Sequence, residues 1–246
     1  MPKISIIIAT FNAAKTLRTA LDSVSGLQMK DWECVIVDGA SKDNTVEIIR
    51  EYVDADSRFR YVSEPDKEGI YDAFNKGWKM ARGEWIYYLG SDDRLTPHGI
   101  SDLLAHEYPD IDLLGGSVFL LWPNGRQKKQ LSRGYRGCHQ AYLTRRTTIQ
   151  QAGGFDMSYK IIADFEMLTR LAVSKNPKVA NYDIPIAYFF VGGESQKLET
   201  VFTICKEIYF ISRKFHLRRF PLLHVSCSFF RTILVRMVHR LLYKNK

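Results

Sequence analysis

Two glycine signatures that cradle phosphate groups are missing from this chain. No Gly-x-Gly-x-x-Gly follows the first apolar run, and no Gly-x-x-x-x-Gly-Lys-Ser/Thr occurs anywhere in the 246 residues. A phosphorylated ligand would therefore need its charge offset by a cation instead of a glycine-rich loop. The four cysteines, Cys34, Cys138, Cys205 and Cys227, lie far apart, with no Cys-x-x-Cys pair and no histidine spacing that suggests zinc. Reduced thiols in a cytoplasmic setting are the expectation. No uninterrupted apolar stretch approaches the roughly 18 residues of a spanning helix. Phe220 to Phe230 is bracketed by Arg219 and Arg231 and interrupted by His224. The apolar start, Ile4 to Ala9, is too short for a secretory signal and runs straight into turn residues, so it reads as a first buried strand. Internal repeats and low-complexity segments are absent as well.

What is present suffices for a full core, since 46% of the residues are hydrophobic. The net charge of +8 is confined to one end. Residues 1–198 hold 25 basic and 25 acidic side chains, whereas residues 199–246 hold 10 against 2. A nucleic-acid protein would carry its basic surface on the folded body, interleaved with aromatics, so nucleic acid is not an expected partner.

Strand and helix signals alternate through the first half, which predicts an α/β layer fold with a mostly parallel sheet. Ile4 to Ala9 is the first strand, and Leu17, Ala20, Leu21 and Val24 recur at helical spacing after it. Trp32 to Val37 is the second strand, followed by Asp38-Gly39-Ala40-Ser41-Lys42-Asp43-Asn44-Thr45, where Ser41 or Asp43 can cap a helix running through Val46, Ile49 and Tyr52. Arg60 to Ser63 is a short third strand, a helix follows from about Tyr71 to Ala81, and Glu84 to Leu89 is the fourth strand. Directly after it come Ser91, Asp92 and Asp93, two adjacent carboxylates where a buried strand meets the rim of a sheet. Carboxylate oxygens are hard donors, and one or two of them on a small divalent cation leave room for phosphate oxygens and water. Ligands of open α/β sheets bind beyond the carboxyl ends of the strands, so Thr10, Asp38 and the aspartate pair can converge on one crevice.

The second half is less regular. Leu113 to Leu121 reads as a buried strand, Pro123-Asn124-Gly125 as a turn, Gln127 to Arg136 as a polar basic loop, and Thr147 as near a helix start. Another helix opens at Ile161 to Leu168, with Asp164 close to its beginning.

Seven segments together resemble the inverting family 2 glycosyltransferases of the GT-A fold. They are Ser5 to Asn12, Val37 to Thr45, Gly69-Ile70-Tyr71-Asp72-Ala73-Phe74-Asn75-Lys76-Gly77, Gly90-Ser91-Asp92-Asp93, His139-Gln140-Ala141, Gly153-Gly154-Phe155-Asp156 and Ala163-Asp164-Phe165-Glu166. Their order and spacing carry the likeness across residues 4 to about 195. The resemblance implies a Rossmann-like mixed, mostly parallel sheet flanked by helices, and transfer of a hexosyl or N-acetylhexosaminyl unit from a nucleotide-diphosphate sugar, with UDP as the favoured nucleotide. It implies that Thr10 and Asp38 contact the nucleoside, that Phe11 faces the base, and that Asp92 and Asp93 supply the contacts to ribose and to a divalent metal, Mg or Mn. Which of the two carboxylates touches the ion stays open. Gly90 departs from relatives that carry Asp or Asn there.

Asn75 is similar to a donor-pocket asparagine, although Ile70, Phe74 and Trp78 on the same helix form a core stripe that would equally explain the segment. Asp164 resembles the catalytic base, the carboxylate that takes the acceptor hydroxyl's proton as its oxygen attacks the anomeric carbon. Ala163 stands where many relatives carry an acid, and Glu166, two residues further on, points away from the same site. His139 and Gln140 line the acceptor side or approach the diphosphate. Gly192-Gly193-Glu194-Ser195 is a loop over the donor or a simple turn. No Gln-x-x-Arg-Trp motif of the processive polysaccharide synthases is present, which favours addition of a single sugar.

Residues 1–198 are thus expected to form the catalytic domain and 199–246 a basic amphipathic helical tail. Leu223, Phe230, Ile233, Leu234, Met237 and Leu241 share one helical stripe, with Arg231, Arg236, His239 and Arg240 on the remaining arc. Such a helix lies on an anionic membrane surface or packs on protein. The first reading suits a peripheral enzyme on the cytoplasmic face with a glycan or lipid-linked glycan acceptor, and it expects soluble-acceptor transfer to survive loss of residues 199–246. A sugar nucleotidyltransferase, a catalytically silent nucleotide-sugar binding module and a membrane adaptor are the competing classes.

Overall fold

Two seven-residue strands with almost no solvent-facing position, β1 (Ile4–Thr10) and β2 (Trp32–Asp38), set the architecture. A strand buried on both faces reads as a continuous apolar run and requires covering layers on both sides. The computed structural model describes residues 1–64, 69–132, 138–174, 177–193 and 198–217. In it, β3 (Phe59–Ser63), β2, β1 and β4 (Trp85–Gly90) lie parallel in that order. The side chains of β1 alternate between two cores. Ile4, Ile6 and Ile8 face the cluster that includes α1 (Leu17–Ser25) and Ile48 and Ile49 of α2 (Thr45–Ala55), while Ile7 faces the cluster that includes α3 (Ile70–Met80).

The inward face of α3 is Tyr71, Phe74 and Asn75, with Trp78 packed beside them, whereas Ile70, placed by periodicity in the core stripe, is half exposed. The helix lies so close to the sheet that a Cβ at Gly77 would fall 2.3 Å from Cγ2 of Ile7. Only glycine permits that approach.

The second half of the chain extends the same sheet. Beyond β4 come β8 (Tyr142–Arg145), antiparallel to it, then β6 (Leu113–Leu121), β9 (Val179–Phe190) and the short β5 (Arg94–Leu95). β6 and β9 are parallel to each other and, through the antiparallel β8, point the same way as β4. The carboxyl ends of β1, β2, β4, β6 and β9 therefore share one rim. Three of these strands are invisible to hydropathy reading. Gln127 to Leu131, expected within a polar loop, is the edge strand β7, antiparallel to β6. Its side chains are almost all exposed, so backbone pairing alone marks it. β8 is four residues long and β9 has an irregular burial pattern with a register shift against β6. The helix read near Thr147 is α5 (Arg146–Ala152), and α4 (Gly99–Leu104) packs beneath β9 and β6.

After α6 (Ala163–Ser174) and β9, the last described helix is α7 (Val201–Lys214). It lies within the segment expected to be a detachable tail, yet it docks on the body. Val201, Cys205 and Ile211 are buried, and Ile211 joins the core that holds Ala163 and Met167. Removing residues 199–246 would therefore strip packing from the body as well as remove the basic segment. The amphipathic stripe from Leu223 to Leu241 with its arc Arg231, Arg236, His239 and Arg240 lies outside the described residues, as do Cys227, Glu194 and Ser195. Among the described residues no helix is long and apolar enough to cross a membrane.

Candidate active site

Thr10 and Asp38 are register partners at the ends of β1 and β2. The Thr10 hydroxyl donates to Asp38 Oδ1 at 2.9 Å, and the Ser41 backbone N–H donates to Asp38 Oδ2 at 2.9 Å. Asn12 and Ala40 both adopt positive φ, which turns the two loops toward each other. The Asn12 N–H donates to Ser41 Oγ, and the Lys42 N–H donates to Asn12 Oδ1. Asp38 is fully buried and Thr10 nearly so. The two residues expected at the nucleoside are thus bonded to each other at adjacent strand ends. Phe11, at the tip of β1, is 41% exposed at the rim.

The aspartate pair after β4 divides. Asp92 faces solvent, whereas Asp93 is 2% exposed. Asp93 Oδ1 accepts the Phe190 N–H at 2.7 Å and Oδ2 accepts from Gln140 Nε2 at 2.6 Å. Burial, then the neighbouring Asp92 charge, push the Asp93 carboxyl up to about 7 against those two hydrogen bonds. Gly90 is explained by the same geometry. A Cβ there would lie 2.3 Å from Asp93 Oδ2 and 2.9 Å from Asp92 Oδ1, so glycine lets both carboxylates fold back over the strand end.

Gln140 belongs to a single 3-10 turn, His139–Ala141, anchored by the buried Tyr87 hydroxyl, which donates to the Gln140 carbonyl at 2.8 Å. His139 carries the chain of contacts onward, its Nδ1 lying 2.9 Å from Asp164 Oδ2 in the first turn of α6. The Tyr71 hydroxyl is 3.0 Å from Asp164 Oδ1 and 2.8 Å from the Ile161 carbonyl. Burial alone would raise the Asp164 carboxyl, but the His139 hydrogen bond and charge, the Phe165 N–H and Tyr71 outweigh it and hold it below the usual carboxylate range. The side chain keeps a quarter of its surface exposed. His139 Nε2 and Gln140 Oε1 are buried with no partner among the described residues. One connected series thus links the aspartate pair to the remote acid: Asp93, Gln140, its neighbour His139, Asp164 and Tyr71.

Asn75 lies elsewhere. Its Nδ2 donates to the Phe155 carbonyl at 2.9 Å, and its Oδ1 accepts the Phe155 N–H at 2.8 Å and the Trp78 indole N–H at 3.1 Å. Every polar atom of the amide is occupied in clamping the Gly153-Gly154-Phe155 turn. N75A is expected to lower the unfolding free energy by roughly 2–4 kcal/mol, because two buried backbone groups lose their partners. Chemical denaturation measures that loss, and a donor-pocket role would instead show as weakened nucleotide-sugar binding at unchanged stability.

Glu166 is also engaged away from the site, fully buried between Arg170 and Lys214. Sequence reading missed Glu207, Phe190 and Tyr87. Glu207 carried one signal, an acid on the apolar face of an otherwise basic segment.

The donor set suits a hard cation. Of the aspartate pair only Asp92 is exposed, its carboxyl raised by partial burial, and no group of three or more His, Cys, Asp or Glu side chains forms a closed cage among the described residues. A small divalent ion held by one carboxylate completes its shell with phosphate oxygens and water.

Similarity to known proteins extends along most of the chain. The Glycosyl transferase family 2 sequence profile matches residues 5–160. The PGL/p-HBAD biosynthesis glycosyltransferase Rv2957 of Mycobacterium tuberculosis is 32% identical over 180 residues, covering 69% of each chain. Among solved structures, S. aureus TarS 1–349 in complex with UDP-GlcNAc superposes with a TM-score of 0.69 at 18% identity, over 85% of this chain and 65% of that one. The mannosyltransferase PcManGT from Pyrobaculum calidifontis, in complex with GDP-Man and Mn2+, gives 0.69 at 15% identity, over 98% and 76%. With a parallel sheet whose strand ends gather the carboxylates on one rim, and with these matches along most of its length, the chain belongs to glycosyl transferase family 2 and is a glycosyltransferase of the GT-A fold.

Proposed function

We propose that the protein is a non-processive, inverting enzyme that moves one sugar from a nucleotide-diphosphate sugar, a UDP-sugar by preference, to a hydroxyl of a glycan or lipid-linked glycan. The observation that carries this reading is the division of labour between Asp92 and Asp164. Asp92 offers outward oxygens to a divalent ion, Mg or Mn, which when bound offsets the charge developing on the leaving diphosphate. Asp164, ionised and oriented by His139 and Tyr71, accepts the proton of the attacking hydroxyl from the opposite side. Asp93, expected with Asp92 at the ribose and the metal, is buried and doubly hydrogen-bonded and fixes the strand end that presents Asp92. Phe11 offers a ring to the base from the rim above Thr10 and Asp38. The UDP preference draws on TarS, solved with UDP-GlcNAc, and the need for a metal on PcManGT, solved with GDP-Man and Mn2+.

The Arg94 guanidinium lies 4.5 Å from the Tyr188 ring centroid, and Tyr188 stacks on Phe119 at 5.1 Å. An aromatic pair beside an arginine suits the face of a sugar ring and its hydroxyls.

Association with the cytoplasmic face of a membrane fits the charge of residues 199–246. On α7 the outward stripe is Phe202, Lys206, Phe210 and Arg213, with Phe202 73% exposed. Apolar rings between basic side chains favour an anionic surface, each basic residue contributing about 1 kcal/mol.

A thermal-shift screen tests the donor assignment. UDP and UDP-sugars with Mg or Mn are expected to raise the transition, a ligand at 100 times its dissociation constant adding about 2.7 kcal/mol. No shift with any nucleotide diphosphate in the presence of metal would remove the donor site from this crevice. Product NMR then reads the anomeric configuration, and retention would refute the inverting mechanism.

A further inference from the structure

The segment that delivers Asp164 to the site is held from outside the region the family profile covers. Lys160, Ile161 and Ile162 immediately precede α6, and Asp164 is the second residue of that helix. Their backbone N–H groups all point at one carboxylate, that of Glu207 on α7. Lys160 N–H donates to Oε1 at 2.5 Å, Ile161 N–H lies 3.2 Å from Oε2 and 3.3 Å from Oε1, and Ile162 N–H donates to Oε2 at 3.0 Å. Glu207 is only 6% exposed. Lys214 on the same helix pairs with Asp156 and Glu166 instead. A carboxylate buried without a cation is unfavourable unless its oxygens are fully hydrogen-bonded. Here its partners are backbone donors at a helix entrance, where N–H groups lack intrahelical acceptors and the helix dipole favours negative charge.

The same stretch is gripped from the other side. The Tyr71 hydroxyl that touches Asp164 also lies 2.8 Å from the Ile161 carbonyl, so Glu207 and Tyr71 hold opposite edges of the peptide units leading into α6. Glu207 itself is fixed because Ile211, one turn further along α7, is buried in the core that contains Ala163 and Met167. We infer that Glu207 is a positioning residue for Asp164: it sets the entry of α6 so that the carboxylate meets His139 and the incoming hydroxyl. The inference rests on the reading of Asp164 as the base. A displacement of about 1 Å at a reacting group costs on the order of 10²-fold in rate, so a residue that touches no substrate can still govern turnover.

The test uses the full chain carrying E207Q, E207D, D164N and the double variant E207Q/D164N, assayed with saturating metal at a temperature where circular dichroism shows each folded. E207Q is expected to lower kcat about 10- to 100-fold with the donor KM within about 2-fold, because the donor half of the crevice is built from β1, β2 and β4. E207D, which keeps the charge with a shorter reach, recovers part of the loss. In the D164N background, E207Q adds nothing further, since a positioning effect vanishes once the positioned group is gone. A folded E207Q with wild-type kcat, or a full additional loss on top of D164N, overturns the inference. Wild-type activity in D164N would instead overturn the base assignment. Hydrogen exchange at the 160–162 amides of the wild-type chain gives a reading that needs no variant: slow exchange is expected, and exchange at the rate of exposed loops overturns the proposal.

Discussion

With Asp164 as the proposed base, D164N is expected to lower kcat about 10²- to 10⁴-fold, the contribution of a positioned general base, while nucleotide-sugar binding stays close to wild type. The asparagine matches the carboxylate in shape and can still meet His139 and Tyr71, so the loss isolates proton acceptance from packing. The pH profile carries the sign of the perturbation. The Asp164 carboxyl is held below its ordinary value, so the proton-accepting form persists as pH falls and is lost only below the usual carboxylate range. The limb of kcat that belongs to Asp164 therefore lies on the acid side of an unperturbed aspartate. H139A removes the principal stabiliser of the charged form and is expected to move that limb toward neutrality. Single-turnover transfer across pH 3–8 measures both, and an unshifted limb in H139A would show that the dyad does not tune the base.

Metal removal and D92A form the second large effect. Chelation is expected to lower transfer by about 10²–10³-fold, the scale of losing a main electrostatic stabiliser of a developing anion, with recovery on adding Mn or Mg. D92A should match that loss without further sensitivity to chelator, and it should abolish the metal-dependent part of the thermal shift given by a nucleotide diphosphate. The contrast with Asp93 is informative because that carboxylate is buried and bonded to Phe190 and Gln140. D93A therefore lowers stability as well as activity, whereas D92A leaves the transition temperature of the free protein unchanged. Full activity of D92A in the presence of chelator would remove the cation from the mechanism.

Legibility in the sequence followed burial and periodicity. β1, β2 and β6 are mostly apolar and largely buried, and the helix α1 repeats Leu17, Ala20, Leu21 and Val24 at helical spacing. Such patterns survive in one dimension because each position's chemistry reports its own environment. β7 fails that test, since an edge strand of Gln and Lys residues is ordered by backbone hydrogen bonds and its side chains report only solvent. Of the α3 stripe Ile70, Phe74 and Trp78, Phe74 is buried and Trp78 packs beside it, but Ile70 sits at the helix start, half exposed, while Tyr71 takes the inward place and reaches Asp164.

Within the site, residue types at strand ends named the chemistry, while orientation came from contacts distant in the chain. Asp92 and Asp93 are adjacent and chemically identical. One turns to solvent and the other inward because Gln140 and the Phe190 N–H, 47 and 97 residues away, bind only the second. Asn75 has the right identity for a donor contact, yet the backbone of Phe155, 80 residues on, occupies its amide.

The sequence by itself determined the parallel α/β core, the family and the set of carboxylates at the strand ends, because burial patterns and short motifs are local properties of the chain. Only the tertiary structure decided which carboxylate of the pair is exposed and which is buried, which acid lies beside a histidine, and that α7 returns to brace the helix carrying Asp164. Those outcomes depend on hydrogen-bond partners and burial brought together from segments tens of residues apart, and no local pattern encodes a distance between them.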